Sequence, residues 1–154
     1  MPGRLRKGKS KNSNRRGRIC PERNLCSSGW ERLVCGILTC NGIRHRHRPR
    51  EYKLTLEGGR QISYTPDMEI GDLIVEPHCY PDGPFLRKMA AFKDQRPDKK
   101  VILITPNDAL PEIPDGIFAE QLPIEFCSST EPSGNILIQV IKSMTRRRAG
   151  ACRT

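Results

Sequence analysis

The residues best suited to chemistry lie between Tyr64 and His78, in the stretch YTPDMEIGDLIVEPH. Asp67 follows Pro66 at the end of one extended segment. After a turn at Gly71, the run Leu73-Ile74-Val75 has the β-branched, apolar character of a buried strand. Side chains alternate along a strand, so Glu76 and His78 share one face and Val75 and Pro77 the other. Paired as neighbours, the two segments bring Asp67 to Glu76 at one end of a sheet. Two carboxylates at one spot repel unless a cation lies between them, and hard oxygens favour Mg2+ or Mn2+. Phosphodiester cleavage needs a positioned water and a cation to polarise the phosphoryl oxygens. The stretch outlines such a site.

Pro66-Asp67 followed by Glu76-Pro77-His78 resembles the signature of the PD-(D/E)xK nuclease superfamily. The order of elements around it is similar to phage-type endonuclease I Holliday junction resolvases and related phage and viral nucleases, over roughly Ser27 to Thr105. The resemblance implies a restriction-endonuclease-like α/β fold, a mixed central sheet flanked by helices. It implies a Mg2+- or Mn2+-dependent DNA endonuclease, acting on branched DNA, with Asp67, Glu76 and the Pro77 backbone carbonyl as metal ligands. Proline keeps that carbonyl but lacks an N–H, so one ladder bond is lost and a bulge or local edge is expected there. Resolvases make two symmetric cuts, so the resemblance extends to a homodimer.

One position departs from the family. A lysine is expected where His78 stands, and histidine is shorter and mostly neutral at pH 7. Three alternatives follow. His78 does the catalytic work itself, Lys88 on the next helix reaches in as a migrated lysine, or the site has decayed and the chain is a DNA-binding or packaging protein.

These residues must be positioned by the surrounding elements. A helix should begin at Ser28, a good N-cap, with Glu31 placed to complete a capping box. Trp30, Val34, Ile37 and Leu38 then form one apolar stripe, and Asn41-Gly42 ends the helix. Glu31 also matches the first-helix glutamate that reaches the active site in resolvase-like families, so capping and catalysis both remain open. Arg44-His45-Arg46-His47-Arg48-Pro49-Arg50 is extended, and alternation puts its arginines on one face, either as phosphate contacts or as charge protecting an edge strand. A strand over Glu51 to Leu56 turns through Glu57-Gly58-Gly59-Arg60 into Gln61 to Tyr64. The helix from Pro84 to Gln95 carries Phe85, Met89 and Phe92 as a stripe, with Lys88 beside it. Lys100 to Thr105 is a further strand, Leu122 to Cys127 a short edge strand, and Ser133 to Met144 a helix with Ile136, Val140 and Met144 in register.

The 154 residues suit one core. We divide them into a basic disordered arm (1–26), the nuclease-like domain (27–132) and a C-terminal helix with basic tail (133–154). Of 27 Lys and Arg, eight lie in 1–18 and five beyond Pro132, while all 17 acids lie between, leaving the body at −3 within a chain of +10. A near-neutral body with basic arms suits a polyanion partner, with Arg15, Arg16 and Arg18 as DNA contacts alongside Arg44, Arg46, Arg48 and Arg50. No apolar run is long enough for a membrane span and no signal-peptide core follows the basic start. Seven cysteines then indicate a reducing compartment, cytoplasmic or nuclear, with free thiols. Cys20, Cys26, Cys35 and Cys40, with His45 and His47, raise the question of zinc. Their spacings match no CxxC knuckle, and Cys35 and Cys40 diverge on a helix, so buried thiols are the expectation.

Overall fold

The computed structural model describes residues 19–105, 112–123 and 132–149. Helix α1 spans Gly29–Cys40. Its Ser28 cap accepts from the Glu31 amide at 3.1 Å, and Gly42, at φ 72°, turns the chain out of it. Strands β1 (Arg46–His47), β2 (Tyr52–Thr55), β3 (Gln61–Tyr64), β4 (Met68–Ile70) and β5 (Leu73–Pro77) follow. Then come α2 (Gly83–Gln95), β6 (Lys100–Thr105), β7 (Glu120–Pro123) and α3 (Pro132–Ala149).

The central sheet runs in the order β1-β4-β5-β6-β7. The β1/β4 and β4/β5 pairs are antiparallel, whereas β5/β6 and β6/β7 are parallel. The mixed α/β architecture expected from the sequence is therefore present. A tight turn at Gly71, φ 61°, suffices for β4 to β5, while the parallel step from β5 to β6 needs a crossover, which α2 supplies. The β2–β3 hairpin stands apart as a second sheet. Its turn uses Gly58 and Gly59, both at positive φ.

Two apolar layers enclose the central sheet. Leu73, Val75, Ile102 and Ile104 pack with Trp30, Val34 and Leu38 of α1 and with Leu137, Ile138 and Ile141 of α3. The opposite face, Ile74, Val101 and Leu103, packs on Phe85, Met89 and Phe92 of α2 and on Tyr52, Leu54 and Tyr64 of the hairpin. Burial on both faces is why β5 and β6 read as unbroken apolar runs. Two expectations shift. The buried side of α3 is Leu137, Ile138 and Ile141, with Ile136 half exposed, because the helix lays its stripe one residue further round. The last strand starts at Glu120, two residues before Leu122, because its pairing to β6 begins at Ile102 opposite Glu120. Among the described residues no helix is long and apolar enough to cross a membrane.

Candidate active site and a sulfur–nitrogen cluster

Strand β4 begins with Met68 opposite Val75 of β5, which leaves Asp67 just off the strand end, beside Glu76. The Asp67 amide donates to Glu76 Oε1 at 3.1 Å, and the Tyr64 hydroxyl donates to the same oxygen. Glu76 is buried and Asp67 half-buried, yet neither belongs to any of the ion pairs among the described residues. Burial pushes Asp67 up to about 7, helped by the Glu31 charge and opposed by Arg48 and Lys88. Burial likewise pushes Glu76 up to about 8, helped by Asp67. The two titrate as a pair. Tyr64 is held well above its ordinary value by burial and by Glu76.

Pro77 fits this end of the sheet. The His78 amide donates to the Ile104 carbonyl at 2.9 Å, so alternate backbone groups point toward β6, and those of Pro77 point to the β4 side. There β4 has not yet begun, and the missing N–H falls on a local edge. The Pro77 carbonyl faces the side on which Asp67 lies.

Arg48 acts on Asp67, and the cation that acts on both carboxyls is Lys88. Its ammonium lies 5.2 Å from the Tyr64 ring centroid and 5.4 Å from that of Phe85, and its charge favours ionised Asp67 and ionised Glu76. His78, although on the Glu76 face of β5, stacks flat on Phe85 at 3.9 Å and 3°. Burial holds it below its ordinary value, with Lys88 acting in the same direction. The ring lies on an aromatic shelf.

Glu31 fills the capping role. Its carboxylate takes the Ser27 amide at 2.9 Å and Ser28 Oγ at 3.3 Å, reaching one residue beyond the capping box, while its charge raises Asp67. Of the arginines, Arg48 adopts φ 45°, and its amide donates to the Asp67 carbonyl at 3.1 Å. This left-handed residue breaks the alternation expected of 44–50. The Arg48 charge acts on Asp67, whereas Arg44, Arg46 and Arg50 line a broad groove with Glu69 and Lys99. Arg15, Arg16 and Arg18 lie outside the described residues. Sequence reasoning gave no role to Tyr64, although its place two residues before Pro66 put it in the same stretch.

A second constellation was not expected. The donor atoms of Cys20, Cys35, His45 and His47 all lie within 4.8 Å of one another, the group of potential metal ligands found among the described residues. Glu31, Asp67 and Glu76 do not close so tightly. Cys40 is exposed, as the divergence argument required, but the thiol that joins Cys35 comes from outside the helix. The donor set can hold a metal ion, and its sulfur and nitrogen atoms suit a soft metal rather than Mg2+. No protein-family model, curated protein or solved structure matches this chain.

Proposed function

We propose that the chain is a metal-dependent DNA endonuclease whose reactive end is built by Asp67, Glu76 and Lys88. The observation that carries this reading is a buried Glu76 beside a half-buried Asp67, neither in an ion pair among the described residues, with the Lys88 ammonium acting on both and Arg48 on Asp67. Such pairs of shifted acids mark sites of proton or metal chemistry. Asp67, Glu76 and the Pro77 carbonyl form an all-oxygen set suited to Mg2+ or Mn2+. When bound there, the ion would polarise the phosphoryl group and acidify the attacking water. Tyr64 and the Asp67 amide fix the Glu76 carboxylate in orientation. Lys88 stabilises charge that develops on the phosphoryl oxygens, the task His78 leaves undone. Arg48 docks the adjacent phosphate. Arg44, Arg46, Arg50 and the basic arm, including Arg15, Arg16 and Arg18, hold the duplex through its backbone.

An antiparallel pair carrying the acids, followed by a helical crossover into a parallel strand, is consistent with a restriction-endonuclease-like fold. Branched, junction-like DNA and a homodimer follow from the family resemblance. The second reading, a decayed nuclease that only binds or packages DNA, is favoured by one observation, the stacking of His78 on Phe85 rather than toward the carboxyls. Purified protein incubated with Mg2+ on four-way, branched, single-stranded and linear DNA separates the two readings. Cleavage lost in Asp67→Ala supports the nuclease, and binding without cleavage on every substrate supports the relic.

A further inference from the structure

We propose that Cys20, Cys35, His45 and His47 form a closed, structural zinc site that clips the N-terminal segment and the arginine-rich ribbon onto helix α1. The four donor atoms lie within 4.8 Å of one another, and His45 Nε2 stands 3.4 Å from Cys35 Sγ. A tetrahedral zinc with two sulfur and two nitrogen ligands needs separations of about 3.3–3.8 Å between them, from its usual bond lengths. Side-chain adjustments of about 1 Å close the site. The His45 ring is already oriented, because Nδ1 lies 3.1 Å from the Ile43 carbonyl. Donation there places the lone pair on Nε2, facing the sulfur, as the outer partners of metal-bound histidines do. Two thiolates and two neutral imidazoles balance the ion's charge, which suits the burial of Cys20, Cys35 and His47.

The surrounding chain needs such a clip. Between residues 19 and 28 only Cys20 and Cys26 are buried, and the local order is a single 3-10 turn at Arg23–Leu25. That is little apolar anchorage for a segment lying across a helix and a strand. His47 is buried on β1, and His45, half-buried, immediately precedes that strand and borders the groove together with Arg44 and Arg46. Glu22 adds one tie, accepting from the His47 amide at 2.7 Å. Cys26 lies 3.8 Å from His47 Nδ1 but outside the group of four, so it packs against the site rather than completing it. Four protein ligands leave no open position for substrate, which marks the ion as structural.

Metal content of the full chain, purified without chelator and analysed by elemental mass spectrometry, tests this directly. A single zinc per chain is expected, retained in Asp67→Ala and Cys40→Ser and lost to background in Cys35→Ser and His47→Ala. Should those two variants fail to fold, cobalt(II) exchanged into wild type still decides. The intense d–d and thiolate charge-transfer bands of a tetrahedral S2N2 centre are expected, together with a lowered Tm when zinc is stripped. Wild type that carries no zinc, shows no such bands and titrates all its thiols freely overturns the proposal. So does a Cys20–Cys35 disulfide found in protein kept in reducing buffer, or zinc that disappears with Asp67→Ala.

Discussion

The carboxylate end of the sheet and the cysteine–histidine cluster are both potential metal sites, and the chain assembles them in opposite ways. Asp67 and Glu76 are nine positions apart and meet through one antiparallel hairpin, so strand periodicity alone places them. Cys20, Cys35, His45 and His47 come from an irregular segment, a helix, the residue preceding β1 and β1 itself, and meet only once the chain has folded. The first site also sits in tension. Burial holds both acids above their ordinary range, against the charge of Lys88 and, at Asp67, of Arg48. The second is a set of sulfur and nitrogen donors within 4.8 Å of one another. Hard and reactive against soft and structural is the contrast to be tested.

The largest effects should appear at the reactive end. Lys88→Ala should lower the single-turnover cleavage rate by about 10²–10⁴-fold, the usual contribution of one positioned catalytic group. His78→Ala should lower it far less, because the ring rests on Phe85 and burial holds it below its ordinary value. The reverse order, with a rate that follows histidine titration, would hand the role back to His78. Zinc removal should leave the chemical step in any protein that stays folded, since it touches neither acid.

A thermodynamic difference comes next. The folded pair holds its protons up to about 7 and about 8, whereas unfolded carboxyls release theirs near pH 4. Between those limits the folded chain binds more protons, so stability must fall as pH rises through the window. Glu76→Gln, which keeps an acceptor for Tyr64, should therefore be more stable than wild type above pH 8, by on the order of 2 kcal/mol. Near pH 4 the two should unfold alike. Added Mg2+ should stabilise wild type at pH 8 and not the variant. Equal thermal unfolding curves at both pH values would remove the strain from the account.

The smallest effects should belong to the charges proposed to grip DNA. Deleting residues 1–18 removes eight cations, and each phosphate contact contributes about 0.9 to the log–log salt slope of binding to duplex DNA. The truncated chain should bind more weakly with a shallower slope, and an unchanged slope would mean that the arm does not touch DNA. Arg46→Ala, in the groove, should reduce affinity by about 1 kcal/mol or less, uniformly across sequences. Fluorescence anisotropy over a salt series reads both.

Local periodicity made much of this legible. The Ser28 cap, the Gly58-Gly59 turn, the Phe85-Met89-Phe92 stripe and the register that joins Asp67 to Glu76 each depend on residues a few positions apart, and each stands as read. The stripe on α3 lies one residue from the line its periodicity suggests, because Ile136, Leu137, Val140 and Ile141 offer two overlapping apolar lines and only the sheet beneath decides between them. Arg48 could not be foreseen at φ 45°, since a left-handed arginine is set by its hydrogen bond to Asp67 rather than by its neighbours in sequence. The cysteine–histidine cluster is hidden from the sequence for the same reason. Its ligand spacing, Cys20 to Cys35 to His45, follows no short motif, because a helix packed against a loop brings the donors together rather than a knuckle turn.

The central claim is that Asp67 and Glu76 form a phosphodiester-cleaving end, and paired cleavage and binding assays test it most directly. Wild type, Asp67→Ala and Glu76→Ala should be compared on four-way and linear duplex DNA with saturating Mg2+. Wild type should cut, and each variant should fall to background while binding DNA with nearly unchanged affinity, since the phosphate contacts lie on the arginines. Cleavage by either variant at the wild-type rate, or no cleavage by wild type on any substrate with Mg2+ or Mn2+, would contradict the account.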